Sequence, residues 1–552
     1  MGAGVVDLEG ARTMCDLLLS TAWQHPDRVA LRSFETGTAW TYSEVMARVG
    51  AVLERLRGLG VGKGSVVALM MRNIPQFHVV DSAVMLAGAI PFSVYNTLPP
   101  EQIKFVLSNA GARIVIAESG FVPVLRAAIA LGAPIERILV VDAVIEGCVD
   151  LLTELAAQRC EFDFASLEPV FPDDLLTIIY TSGTTGPPKG VELTHGGMLA
   201  QLRGVHAAFP IPGGGRQISF LPAAHVADRW TSHYSAFMTY GNTLTCVEDA
   251  VNLPACVAST RPTVFVAVPR GWEKFKVAIE NAYPGDVLAD SAADPAIGAE
   301  LLDRLGFGEV VWAMTGAAPT PRAVVDFFVA LGLPLCEGLG MSEASCVVAV
   351  NTPASLRPGS VGRALDSVEV ATAADGELLV RGTQIMRGYR DQPDRTSEAL
   401  DPEGWLHTGD IARIDDDGFV WIVDRKKELI ITAAGKNLSP ANIEMAVRSA
   451  GNLIAHVCAI GEARPYVVAL VCLDPTAVGD RAFDDPALVG KVQEQIDRAN
   501  TKLARVEQIK KFAIVEREWT SGSELTPTMK LRRAVIATEH ARQIEDLYAN
   551  NR

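Results

Sequence analysis

Residues 180–190 read Tyr-Thr-Ser-Gly-Thr-Thr-Gly-Pro-Pro-Lys-Gly, directly after the apolar run at 175–179. Gly183 and Gly186 let a backbone approach closely, Thr181, Ser182, Thr184 and Thr185 add hydroxyl donors, and Lys189 adds a charge, which is the inventory a polyphosphate requires. The common P-loop is excluded, because five residues on from Gly183 stands Pro188 where that pattern needs glycine. A plain loop also has this composition, so the segment alone leaves nucleotide binding and a structural turn both open.

The elements that must hold such a loop show a rhythm. Short β-rich runs at 65–70, 113–117, 175–181, 263–268 and 309–314 alternate with amphipathic segments, which predicts an α/β fold of stacked mixed sheets flanked by helices. Small-residue turns follow the strands, as in Thr315-Gly316-Ala317-Ala318-Pro319, and ligands favour the carboxyl ends of such strands. Residues 284–308, rich in Ala, Asp and Gly, read as a loop or short helices. After a turn at Asp415-Asp416-Asp417-Gly418 comes a strand at 419–423 and the charged cluster Asp424-Arg425-Lys426-Lys427-Glu428. That cluster predicts a domain boundary, with a large domain over 1–424 and a small α+β domain over 425–552 carrying strands at 454–460 and 466–473.

Composition narrows the function classes. The 552 residues are 49% apolar, enough for several cores, and the net charge of -16 argues against nonspecific binding to nucleic acid or to anionic membranes. Nine scattered cysteines without a Cys-x-x-Cys pair suggest neither a zinc site nor a disulfide framework, and fit a reducing cytoplasm. No secretory signal is expected from a start carrying Asp7, Glu9 and Arg12. The longest apolar stretch, 79–94, contains Asp81 and Pro91 and is too short to span a bilayer, so no transmembrane segment is expected and peripheral membrane contact stays open.

Further motifs follow in a fixed order: Glu337-Gly338-Leu339-Gly340-Met341-Ser342-Glu343, Gly404-Trp405-Leu406-His407-Thr408-Gly409-Asp410, residues 424–430, Gly435-Lys436-Asn437 and Pro527-Thr528-Met529-Lys530. With the 180–190 segment and the 315–319 turn, they make the chain resemble, over nearly its whole length, the adenylate-forming superfamily of acyl-CoA synthetases, luciferases and peptide-synthetase adenylation domains. The variants at 424–430, 434–437 and 526–533 are most similar to long-chain fatty acyl-CoA synthetases of the bubblegum-like branch.

The resemblance implies that a fatty acid carboxylate attacks the α-phosphorus of ATP, giving acyl-AMP and pyrophosphate, and that the thiol of CoA then displaces AMP. Both partners of the first step are anions, so positioning and charge neutralisation carry the catalysis. Thr181, Ser182, Gly183, Thr184, Thr185, Gly186 and Lys189 would wrap the phosphates, Gly316, Ala317, Leu339, Gly340 and Ser342 would border the nucleotide, and Glu343 would hold Mg2+. Asp410 would accept the ribose hydroxyls with Arg425 beside it. His225 would stand near the acyl carboxylate, Trp230 close to an acyl tunnel, and Gly435 against pantetheine. Lys530 would offset the repulsion between carboxylate and α-phosphate, delivered by a small domain that turns about a hinge near Lys427. One residue departs from the pattern: the family commonly has tyrosine at Leu339, stacked on adenine, and leucine there predicts weaker ATP affinity by roughly 0.5–1.5 kcal/mol. An acyl-AMP ligase that loads a carrier protein, an aryl or short-acid CoA ligase, and a nonenzymatic nucleotide-binding protein remain as alternatives. Oligomeric state and the physiological acid are not legible.

Overall fold

The computed structural model describes residues 8–159, 162–181, 188–433, 436–479, 481–520, 522–526 and 530–549. The architecture is mixed α/β, a large amino-terminal domain followed by a smaller carboxyl-terminal one. A five-stranded parallel sheet takes the order Ile90–Ser93, Val66–Met70, Ile114–Ala117, Arg137–Val140 and Val149–Asp150. A second sheet aligns Val264–Ala267, Trp312–Thr315 and Leu335–Met341 in parallel and adds Cys346–Val350 and Arg363–Ala364 antiparallel. Sandwiched apolar strands and crossover helices are what uninterrupted Val/Ile/Leu runs separated by amphipathic stretches produce.

Three smaller sheets complete the large domain. Arg216–Ser219, Thr243–Cys246 and Val29–Ser33 run parallel beside Ala39–Thr41. Leu175–Thr181 and Lys189–Thr194 form a hairpin edged by Gly388–Tyr389. Val368–Thr372, Glu377–Gly382, Leu406–Ile414 and Val420–Arg425 form an antiparallel meander. The carboxyl-terminal part builds on Ile454–Ile460, Val467–Leu473 and Ile509–Val515. Its apolar clusters draw on residues from Ile430 onward, whereas the clusters of the large domain end at Ile422.

Two expected elements shift. The run at 309–314 becomes a strand only over Trp312–Thr315, because Val264 pairs with Trp312, and Glu309 instead takes up Arg216 and Arg261 in ion pairs. The strand expected at 419–423 extends to Arg425, so sheet pairing runs one residue past the expected boundary and Asp410 faces Arg425 in register. Residues 284–308 hold the short helices Val287–Ala293 and Pro295–Leu305, each capped by an aspartate, Asp286 and Asp294. Among the described residues the eight cysteines are free, and no helix is long and apolar enough to cross a membrane.

Candidate active site

One cleft of about 480 Å³ collects most of the predicted residues. Its wall includes Thr181, Lys189, His225, Trp230, Gly316, Ala317, Gly340, Ser342, Glu343, Arg425, Lys427 and Lys530. The size suits a small-molecule site. It opens where the parallel strands Val264–Ala267, Trp312–Thr315 and Leu335–Met341 end, the place such sheets offer to ligands.

Close backbone approach explains Gly340. A Cβ there would stand 2.4 Å from the Cys346 carbonyl oxygen, whereas one on Gly338 would meet the movable Met314 methyl at 2.3 Å. Ala317, with φ of 67°, sits in the left-handed region, as do Ser345 at 52° and Cys346 at 99°. Such residues cost of order 1–3 kcal/mol each and persist only where the surroundings hold them. The pair at 345–346 turns the chain sharply after Glu343, so that the short 3-10 helix Ser342–Ala344 directs this carboxylate into the cleft.

Glu343 is held from two sides. The Tyr389 hydroxyl donates to its Oε1 at 2.9 Å, and the Met386 N–H donates to its carbonyl oxygen at 2.8 Å. Tyr389 also lies under Lys189, whose ammonium is 4.4 Å from the ring centroid. Burial lowers the Lys189 pKa, Arg395 adds to the effect, and Glu343 opposes it. Burial first, then Glu343, raises the Tyr389 pKa, so its hydroxyl stays protonated and a donor. Sequence reasoning missed Tyr389, since a lone Gly-Tyr after a loop carries no signal of its own. Only the pairing of Tyr389 with Val191, two residues from Lys189, brings it here.

One side of the cleft is built on the meander. Arg425 Nε donates to Asp410 Oδ1 at 2.8 Å, and its Nη1 donates to the Thr408 carbonyl at 3.1 Å. Asp410 is 3% exposed and lies just behind the wall, and its Oδ2 is buried without a hydrogen-bond partner. Burial raises its pKa, while Arg425 and Lys530 pull it back. A buried acceptor without a donor costs free energy until a ligand supplies one, and ribose hydroxyls are donors of the right kind.

Lys530 comes from the carboxyl-terminal domain. Its N–H donates to Thr526 Oγ1 at 3.0 Å, and its carbonyl accepts from the Thr526 N–H at 2.8 Å, which fixes the base of the side chain. The side chain is open to solvent in the cleft, yet the protein crowded around it lowers the ammonium pKa, Arg425 adding to this and Asp410 opposing it. His225 caps the short helix Val226–Asp228, its Nδ1 accepting from the Ala227 N–H at 3.0 Å. Burial, then Lys530, lowers its pKa to about 4. At neutral pH it is therefore uncharged with its proton on Nε2, a hydrogen-bond donor rather than a cation.

Some expected residues fall elsewhere. Leu339 is half-buried and packs against the main core, while its neighbours Gly338 and Gly340 line the cleft. Ser182, Gly183, Thr184, Thr185, Gly186 and Gly435 lie outside the described residues. Thr181 and Lys189, which flank the first five, pair directly across the hairpin.

The apolar side of the cleft carries Tyr95, Ile179, Leu221, Val226, Trp230 and Val347. Trp230 lies on the π-helical segment Arg229–Thr239, buried along its whole length. Behind this wall is a dry charge network. Arg229 pairs with Asp81 through both Nη atoms, Nη1 at 2.6 Å, its Nε having no hydrogen-bond partner, and His233 Nε2 donates to Asp81 Oδ1 at 2.9 Å. His78 Nδ1 meets His233 Nδ1 at 3.0 Å. Asp81, Arg229, His233 and His78 are all 0% exposed. Burial pushes the Asp81 pKa up, but Arg229 and His233 overcome it and hold it below the usual value.

Comparison with known proteins agrees with this geometry. The model of the AMP-binding enzymes matches residues 19–390, and that of the AMP-binding enzyme C-terminal domain matches 427–552. A Mycobacterium tuberculosis protein provisionally named fatty-acid–CoA ligase fadD11 is 43% identical over 448 residues, 72% of this chain and 78% of its own. The long-chain-fatty-acid–CoA ligase ACSBG2 of Gallus gallus is 28% identical over 583 residues, 90% of this chain and 75% of its own. The adenylation domain of a carboxylate reductase from Mycobacterium chelonae superposes with a TM-score of 0.84 at 21% identity, covering 99% and 92% of the two chains.

Proposed function

Because this chain belongs to the AMP-binding enzymes, we propose that it activates a long-chain fatty acid with ATP to an acyl-adenylate and passes the acyl group to CoA. The observation that carries this reading is the convergence of Lys530, from the far end of the sequence, on the cleft that Glu343, Arg425 and His225 line. Each group answers one need of the reaction. The unpaired Oδ2 of Asp410 accepts ribose hydroxyls, and Arg425 opposes the rise that burial causes in that carboxyl's pKa. Lys189 and Lys530 place positive charge at the two ends of the phosphate chain, so the carboxylate approaches an α-phosphorus whose negative field is offset. His225 donates from Nε2 to the oxygen of the acid or of the leaving pyrophosphate.

Glu343 suits magnesium: with Oε1 taken by Tyr389, its second oxygen is a hard ligand beside the phosphate site. When bound, that cation neutralises phosphate charge. The apolar wall from Tyr95 to Trp230 receives the acyl chain and excludes water from the reacting carboxylate. We place the turn of the small domain at Lys427, after the last strand of the meander.

The test is acid-dependent pyrophosphate release from ATP over acids of graded length, with and without CoA. The expected result is the fastest turnover with long-chain fatty acids, and acyl-CoA plus AMP only when CoA is present. Turnover confined to aryl or short acids, or stopping at the adenylate despite CoA, would replace the reading by the corresponding ligase. No turnover with any acid would leave a nucleotide-binding protein.

A further inference from the structure

We propose that Arg395 is a binding residue for the polyphosphate, gripping the phosphates that leave as pyrophosphate. This rests on the ATP-dependent reading above and adds a residue to it. Arg395 lies on the short helix Pro393–Ala399 and lines the cleft together with Glu398 of the same helix. Its guanidinium Nη1 is buried, yet has no hydrogen-bond partner. An arginine nitrogen taken out of water without an acceptor is costly, and in a chain with 65 acidic and 49 basic side chains an acceptor is easily supplied. The vacant position therefore points to an anion that arrives with the ligand.

The neighbours say which anion. Thr396, the next residue, accepts from the Tyr389 N–H at 2.9 Å, and the Thr396 side chain fills the space beside Gly388. Tyr389 in turn touches Glu343 and carries Lys189 over its ring. This chain of contacts ties Arg395, through the short strand Gly388–Tyr389, to the proposed magnesium ligand and the fixed lysine. Its field is felt there: Arg395 is the strongest charge acting to lower the Lys189 pKa. Two like charges side by side repel each other until an anion lies between them, and a guanidinium fork matches two phosphate oxygens at once, which an ammonium does not.

The experiment compares three ligands on the full-length protein in the presence of magnesium: ATP, inorganic pyrophosphate and AMP, by titration calorimetry. Arg395→Gln is expected to weaken ATP and pyrophosphate by about tenfold and to leave AMP within about twofold. Arg395→Lys is expected to recover part of that loss, since charge returns without the fork. Unchanged ATP and pyrophosphate binding would overturn the proposal. So would an equal loss for all three ligands, which would mean that Arg395 supports the fold. Wild-type protein that binds none of the three would sink the ligase reading itself, a result distinct from either.

Discussion

Two clusters of charge sit on either side of the same wall and are built on opposite terms. Behind it, Asp81, Arg229, His233 and His78 are sealed from water and bond to one another, with both Asp81 oxygens taken and Arg229 Nε and His78 Nε2 left without partners where no ligand can reach them. In front of it, Asp410 keeps an oxygen without a donor, Arg395 keeps a nitrogen without an acceptor, and Lys530 stands open in the cleft. The closed cluster holds a segment in place: a buried π-helical run is held against Asp81 so that Trp230 and Thr231 face the cavity. The open cluster leaves its vacancies for substrate. A buried ion pair is therefore read here as a fixture and a cleft charge as a binding group, although both involve arginine and aspartate.

The contrast is sharpest in mutants that separate stability from rate. Asp81→Ala strands the Arg229 charge in the interior and is expected to cost about 3–5 kcal/mol of unfolding free energy, seen as a lowered denaturant midpoint at unchanged slope. A loss under about 1 kcal/mol would mean that water reaches the network and that the cluster is not closed. Lys530→Ala should do the reverse. Adenylate formation is expected to drop roughly 10²–10³-fold, the size seen when a donor aimed at developing charge is removed. The denaturant midpoint should stay where it was, and the thioester step from preformed acyl-AMP should survive. If both half-reactions fell together, Lys530 would not belong to the first step alone.

Acid acts on both clusters through neutral histidines. Burial holds the His225 pKa down at about 4, below the usual imidazole value of 6.5, and also lowers those of His78 and His233. In these histidines the unfolded chain binds more protons than the folded one as pH falls from about 6.5 to 4, so their contribution to stability is lost through that window, whereas Asp228 and Glu337, raised to about 7 by burial, act in the opposite sense. The drop in denaturant midpoint from pH 7 to pH 5 should therefore be smaller in His225→Gln than in the wild type. kcat/KM should show no break near pH 6.5 from His225, and a break abolished by His225→Gln would contradict its neutral state. The smallest effect is expected at Leu339, whose side chain is half-buried against the core: Leu339→Tyr should change the KM for ATP by less than about threefold and instead lower stability by overpacking. A KM that falls tenfold would return this residue to the nucleotide site.

The difference between the clusters also explains what could be read from the sequence. Motifs with fixed internal spacing, such as Gly338 to Glu343 or Thr408 to Asp410, carry their own local geometry, and most of their residues reach the cleft. Strands were legible where an apolar run ended at a turn: Leu175–Thr181 and Ile454–Ile460 fall where expected. Trp312–Thr315 did not, because its start is set by pairing with Val264, which no local pattern encodes. The closed cluster was invisible for the same reason. Asp81 read only as an interruption in an apolar run, its partners lying some 150 positions away. Tyr389 and Arg395 were missed because a single tyrosine or arginine acquires meaning only from what a distant strand places beside it.

The separation of the apolar clusters has a consequence for how the molecule comes into being. Everything the large domain needs for its interior is present once residue 422 has been made, and the remaining chain packs its own interior from residue 430 onward. During synthesis the first body can therefore fold while the second is still being made. The nascent protein would present Asp410 and Glu343 before it possesses Lys530. It is an enzyme whose capacity to hold its substrate precedes, in its own history, the capacity to transform it.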